Sequence, residues 1–306
     1  MTARFELWAI FGIAITAMMY LDLFVLNKKA HTVRLKEALA WCAVWVTAAL
    51  LFCVGIYFLL GRIKALEFLT GYIIEESLSV DNLFVFIMIF EYFRIPTSYQ
   101  PRVLKWGILG AIVMRALFIA VGVELFNKFE WIIYVFGAFL VLTAFKLAVR
   151  KEEKFDPEKN PLLRLFRRFF RVTSDYHDDN FFTLHSAAWS ATPLFIALLL
   201  IESSDIIFAM DSIPAVLAIT TDPFIVYTSN IFAILGLRSL FFVISGMMGL
   251  FRHLKLGISF ILGFVGVKML ISHFYEIHIT VSLGVIFGIL AVSILASVIH
   301  KEKEGK

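Results

Sequence analysis

The sequence predicts an all-α, polytopic membrane protein with about nine transmembrane helices. Three observations predict it. Hydrophobic residues fill 60% of the 306 positions, well above the roughly 45–50% apolar content of soluble domains. They fall into blocks of about twenty residues, the length that crosses a bilayer as a helix. Lysine and arginine are concentrated between the blocks, in links that alternate between rich and poor. The net charge of +4 is spread over segment ends. It makes no basic patch, which argues against a nucleic-acid partner. The lipid bilayer is the partner that the composition demands.

The expected spans are 5–26, 37–60, 66–91, 103–126, 131–149, 188–218, 224–247, 255–273 and 278–299. The first reads as a spanning helix rather than a signal peptide. It carries Asp22 and lacks a small-residue cleavage site before Asn27. The second holds both cysteines, Cys42 and Cys53. Eleven residues of helix separate them by about 16 Å, too far for a disulfide, so they read as small core residues. The sixth span is longer than a crossing needs. Pro214 within it removes a backbone hydrogen bond and crowds the preceding turn, which predicts a break near Ile213–Pro214.

One set of alternate links carries twenty lysines and arginines, and the other carries four. The positive-inside rule then places the N-terminus outside and the C-terminus in the cytoplasm. An odd number of spans agrees. The long link, 150–187, falls on the cytoplasmic side. Within it, Leu162, Leu163, Phe166, Phe169 and Phe170 share one helical face, with Arg164, Arg167, Arg168 and Arg171 largely on the other. Such a helix can lie against anionic headgroups; the alternative is an ordinary solvated basic loop. The SDYHDDN run at 174–180 reads as a polar turn, with attraction of a divalent metal as the alternative.

An internal repeat organises the chain. SVDNLFV (79–85) aligns with SSDIIFA (203–209), MRALFIAVG (114–122) with LRSLFFVIS (237–245), and FKL (145–147) with VKM (267–269). The offsets are 124, 123 and 122 residues. Each unit has three spans, so the second must enter the membrane from the opposite side. The expectation is an inverted-topology repeat, common in secondary transporters with a site at the repeat interface. The resulting division is 1–65, two peripheral helices; 66–149, the first repeat; 150–187, the cytoplasmic loop; 188–273, the second repeat; and 274–306, the last helix and tail.

Two acidic clusters lie inside the repeats. Glu75, Glu76 and Asp81 sit in FLTGYIIEESLSVDNLFVFIMIF, and Glu202, Asp205 and Asp211 in PLFIALLLIESSDIIFAMDSIPAVLAI. A carboxylate at bilayer depth is costly unless partnered, so it marks a functional site by default. At about 100° per residue, Glu202 and Asp205 share a face, as do Glu75, Ser79 and Asn82. Asp81 and Asp211 lie off those stripes, so convergence of all the acids requires local unwinding. The repeat equates Asp81 with Asp205, which centres the expected site on that pair. Asp, Glu, Asn and Ser supply hard oxygen ligands, and no His or Cys lies near either cluster. That set suits Mg²⁺, Ca²⁺ and Mn²⁺. Arg115, Arg238 and Lys268 are the expected counter-ions, with Lys146 free to snorkel. The competing reading is a locked core in which these cations simply neutralise the acids.

GYIIEESLSVDNLFVF (71–86) and IESSDIIFAMDSIPAVLAITTDPF (201–224) closely resemble the two acidic motifs of the TerC family. The resemblance continues through SNIFAILGLRSLFF (229–242) and is closest to the Alx-like branch. It implies a bacterial inner-membrane protein that exports Mn²⁺ as a transported substrate, with no resident cofactor. Carried over, the metal ligands are Glu75, Asp81, Asn82, Glu202, Asp205 and Asp211, while Glu76 falls outside the family's acidic pattern. Proton exchange for the metal is the expected coupling. The alternative is a membrane scaffold that assists insertion or metallation of other proteins, and reversing Arg167 and Arg168 would then abolish function. No HExxH or GxSxG motif occurs, so an enzyme is not expected.

Overall fold

The computed structural model describes residues 2–20, 35–129, 131–149, 161–169, 171–173, 179–185, 188–246, 254–275 and 277–304. It is an all-α polytopic membrane protein. Its helices are α1 (Thr2–Tyr20), α2 (Leu35–Leu60), α3 (Arg62–Tyr92), α4 (Gln100–Lys128), α5 (Ile132–Val149), α6 (Pro161–Phe169), α7 (Pro193–Leu217), α8 (Pro223–Gly246), α9 (Leu254–Ile271) and α10 (Ile279–Glu304). Of these, α2, α4, α5, α7, α8 and α10 are long and apolar enough to cross a membrane by length and composition. Residues 21–26 of the first expected span, 150–160 of the basic loop and 174–178 of the polar turn lie outside the described residues.

The core is the bundle of α3, α4, α7 and α8. α3 packs on α7 and α8, and α4 packs on the same two helices. α8 is apolar over most of its circumference and is buried along most of its length, as expected of a helix surrounded by others. α2 covers α3 and α8, while α5 and α9 form a side pair and α10 leans on α3 and α9. In lipid there is little hydrophobic drive between helices, so small residues that permit close packing matter most. The α5–α9 crossing shows this: a Cβ on Gly137 would lie 3.0 Å from the Gly266 carbonyl oxygen. Gly61 links α2 to α3 at φ +92°, a conformation that glycine adopts without the Cβ clash other residues meet.

Two expectations are corrected. The sixth span begins at Pro193 rather than 188. Residues 188–191 instead form a strand in a small sheet of β1 (Arg171–Val172), β2 (Phe182–His185) and β3 (Ala188–Ala191), ordered β1-β3-β2. β1 runs parallel to β3, and β2 runs antiparallel to it. The apolar Ala188 and Trp189 resemble the start of a span in composition. They are held outside it where the Thr192 N–H and hydroxyl donate to the carbonyls of Phe181 and Asn180.

The second correction concerns Pro214, which does not break α7: the helix continues to Leu217, and Ala218 N–H still donates to the Pro214 carbonyl at 3.0 Å. A proline in the last turn forfeits one hydrogen bond and leaves few residues beyond it to be displaced. The amphipathic segment forms α6, which packs part of its apolar face on protein. Leu163 is fully buried, and the Phe166 ring lies 5.1 Å from that of Phe195 at the start of α7. Arg164 and Arg168 are exposed.

Candidate functional site

Two polar stripes meet where α3 crosses α7. On α3, Glu75, Ser79 and Asn82 fall on one face because successive turns stack residues three and four apart. All three are buried. On α7, Asp205 and Ser212 are buried as well. α4 adds Arg115, whose side chain is only 1% exposed, and α8 adds Asn230.

Arg115 is the hub. Its Nη1 donates to Glu75 Oε2 and lies 3.5 Å from Ser212 Oγ and 3.4 Å from Asn230 Oδ1. Its Nη2 lies 3.6 Å from Asp205 Oδ1. Asn230 Nδ2 donates to the other Glu75 oxygen at 2.6 Å. Asn82 Nδ2 reaches Asp205 Oδ1 at 3.5 Å. One guanidinium therefore lies between two carboxylates from different helices, and the trio keeps a formal charge of −1.

Buried polar atoms are usually paired. Here Ser79 Oγ, Asn82 Oδ1, Asp205 Oδ2 and Arg115 Nε are buried without a hydrogen bond within the protein. Three of the four are oxygens, and Asn82 and Asp205 already touch through their other atoms. The site thus holds buried oxygens without hydrogen bonds beside a guanidinium.

The sequence-derived residues do not all converge. Among the described residues, no three His, Cys, Asp or Glu side chains form a cluster able to hold a metal. The reason is that α3 and α7 are continuous, so acids six residues apart point in different directions. The α3 side chain hydrogen-bonded to Asp205 is Asn82, and Asp81 beside it is half-buried. Asp211 turns to α5, where Thr143 Oγ1 donates to it at 3.2 Å and the Lys146 charge acts on it. Glu202 is half-buried against α4, and a Cβ on Gly110 would overlap its carboxylate.

Among the expected counter-ions, Arg115 is in the site. Arg238 is buried and shares with Asp205 the wall of a narrow cleft. Lys268 is instead within electrostatic reach of Glu67, two turns along α3 from Glu75. Glu76 faces elsewhere: Tyr72 Oη donates to it at 2.9 Å, and it lies beside Gly236 of α8. Sequence reasoning missed Asn230 and Ser212. Asn230 did carry a signal, as an amide in the apolar run SNIFAILGLRSLFF two turns before Arg238.

The family profile described as "Integral membrane protein TerC family" matches residues 60–305. A Myxococcus xanthus protein named "Uncharacterized membrane protein STKORF319" is 52% identical over 293 residues, covering 96% of this chain and 92% of its own. An Escherichia coli K12 protein named "Putative membrane-bound redox modulator Alx" is 47% identical over 298 residues, covering 94% of this chain and 93% of its own. A Rickettsia bellii protein named "Uncharacterized membrane protein" is 41% identical over 294 residues, covering 96% and 97%. No solved structure matches.

Proposed function

Since the chain belongs to the TerC family of integral membrane proteins, we propose that it is a secondary transporter that exports Mn²⁺ through the buried Arg115 site. The observation that carries this reading is Arg115 bridging Glu75 and Asp205 beside the unpartnered oxygens of Ser79, Asn82 and Asp205. A hard divalent ion prefers carboxylate, amide and hydroxyl oxygens. Arg115 is a tethered surrogate that occupies the carboxylates between transport cycles. An arriving cation displaces the guanidinium, and its departure lets the guanidinium return. Ligand chemistry alone admits Mg²⁺ and Ca²⁺, and the choice of Mn²⁺ rests on the TerC resemblance.

Alternating access needs two units that rock about the site. Exchanging α3, α4 and α5 with α7, α8 and α9 turns the α3–α8 contact into the α4–α7 contact. It leaves the α3–α7, α4–α8 and α5–α9 pairings unchanged. This pattern supports the inverted repeat. The loop charges support an external N-terminus and a cytoplasmic C-terminus. The redox name of the E. coli relative finds no dithiol here: Cys42 and Cys53 are eleven residues apart on one continuous helix, about 16 Å.

The test is Mn²⁺ flux in proteoliposomes. Asp205→Asn is expected to abolish flux, because the amide keeps the shape and removes the charge that faces both Arg115 and the ion. Asp81→Asn is compared alongside it, and unchanged flux in both variants overturns the site. Gly110→Ala gives a separate expectation. Its methyl evicts the Glu202 carboxylate and lowers stability by about 1 kcal/mol, the low end for overpacking, since a half-buried glutamate can swing aside. Flux is expected to fall to the level of Glu202→Gln, measured in the same assay.

A further inference from the structure

We propose that the contact of Gly71 with Ser229 and Val216 is the extracytoplasmic gate of the ion path, and that the cavity beside Glu67 is its mouth. The proposal rests on the transport reading above. Glu67, Gly71, Glu75 and Ser79 recur every fourth residue and line one face of α3. Four residues rise about 6 Å, so each step along this face is one turn.

At the Glu67 end, an open cavity of about 530 Å³ is lined by Lys64, Glu67, Thr220 and Asp222, among others. Thr220 Oγ1 donates to Glu67 Oε2 at 2.6 Å, and Lys64 Nζ bridges Glu67 at 2.8 Å and Asp222 at 3.5 Å. These contacts tie the start of α3 to the α7–α8 link. Two turns deeper, Glu75 is completely buried in the Arg115 site.

Gly71 lies between them. A Cβ there would come 2.9 Å from Ser229 Oγ and 3.4 Å from Val216 Cγ1. Ser229 and Val216 are themselves fully buried. Helices α3, α7 and α8 thus close on one another at a residue without a side chain. Gly71 is one turn of α3 from Glu67 and one turn from Glu75. The opposite side is sealed differently. There the cleft beside Asp205 and Arg238 leaves only about 10 Å³ for the centre of a water-sized sphere, room for one water at most, and Phe86, Leu104, Ile201 and Leu237 are among its lining residues. Small shifts of α7 and α8 against Gly71 would join the mouth to the site. Opening the other side requires four large apolar side chains to part.

The test uses right-side-out membrane vesicles loaded with Mn²⁺, in a background with Cys42→Ser and Cys53→Ser that retains flux. A membrane-impermeant cationic thiol reagent is added outside. Thr221→Cys, at the mouth, is expected to react with or without internal Mn²⁺. Ser229→Cys is expected to react only when internal Mn²⁺ drives turnover, and its modification is expected to stop the flux. Gly71→Val is expected to bring flux below detection while Mn²⁺ binding to the purified protein, read by its electron spin resonance signal, persists. Flux that continues while Ser229→Cys never reacts, or reacts equally without Mn²⁺, overturns the gate and leaves the transport reading standing. Loss of both binding and flux in Gly71→Val also overturns the gate, by making Gly71 a support of the site. Absence of Mn²⁺ flux in the unmodified protein overturns the transport reading itself.

Discussion

Replacing Arg115 with alanine is expected to destabilise the protein by about 3–5 kcal/mol, the usual cost of removing one partner from a buried ion pair. Arg115 offsets one of the two charges of Glu75 and Asp205 from a position 1% exposed. Without it, two buried negative charges share the centre of the bundle, and a low dielectric magnifies their repulsion. Hydrogen bonds to Ser212 and Asn230 are lost as well. The double variant Glu75→Gln with Arg115→Met separates charge balance from packing. It retains the native net charge of −1 at the site, with Asp205 still held by Asn82. Part of the lost stability is therefore expected to return, since one buried carboxylate stands without Arg115 where the single variant leaves two, while Mn²⁺ flux is not, because a ligand and the surrogate cation are both gone. Thermal unfolding of the purified protein in detergent and flux in liposomes check the two halves.

The second large effect is expected at the α5–α9 seam. A Cβ on Gly266 would lie 2.8 Å from the Gly137 carbonyl oxygen and 2.9 Å from Val141 N. Both are backbone atoms and cannot swing aside, so Gly266→Ala must push the two helices apart. Overpacking of this kind costs about 1–3 kcal/mol, and the upper end is expected because the backbone itself has to move. Gly284→Ala and Gly288→Ala on α10 are the controls, since neither Cβ would meet an atom within 4 Å. They are expected to gain up to about 1 kcal/mol from helix propensity. Melting temperatures of the three variants, measured side by side, decide the matter. Equal losses in all three would refute close packing as the cause.

Much of the architecture was legible because the bilayer imposes it. A spanning segment must be helical, long and apolar, and each expected span has a described helix corresponding to it. The sheet of 171–191 was not legible. Its strands are two to four residues long, too short to show an alternating pattern, and its third strand borders a span of similar composition. The break expected at Pro214 was drawn from the residue alone. What a proline does depends on how much helix follows it, and here only Leu217 and two neighbours remain in the helix.

The candidate site was legible in its membership and less so in its arrangement. Glu75, Asn82, Asp205 and Arg115 were all marked as polar residues in apolar sequence, and they meet. Asp211 and Lys268 were marked by the same signal, yet one turns to Thr143 and the other toward Glu67. Sequence by itself determined the solvent this chain is built for, the helices that cross it, and which charges have to be accounted for inside it. Tertiary structure alone decided which of those charges share a site. Helical periodicity orders side chains around one axis, but the rotation of each helix against its neighbours is set by packing. That rotation brings Asn82 to Asp205 and places the guanidinium of Arg115 between two acids.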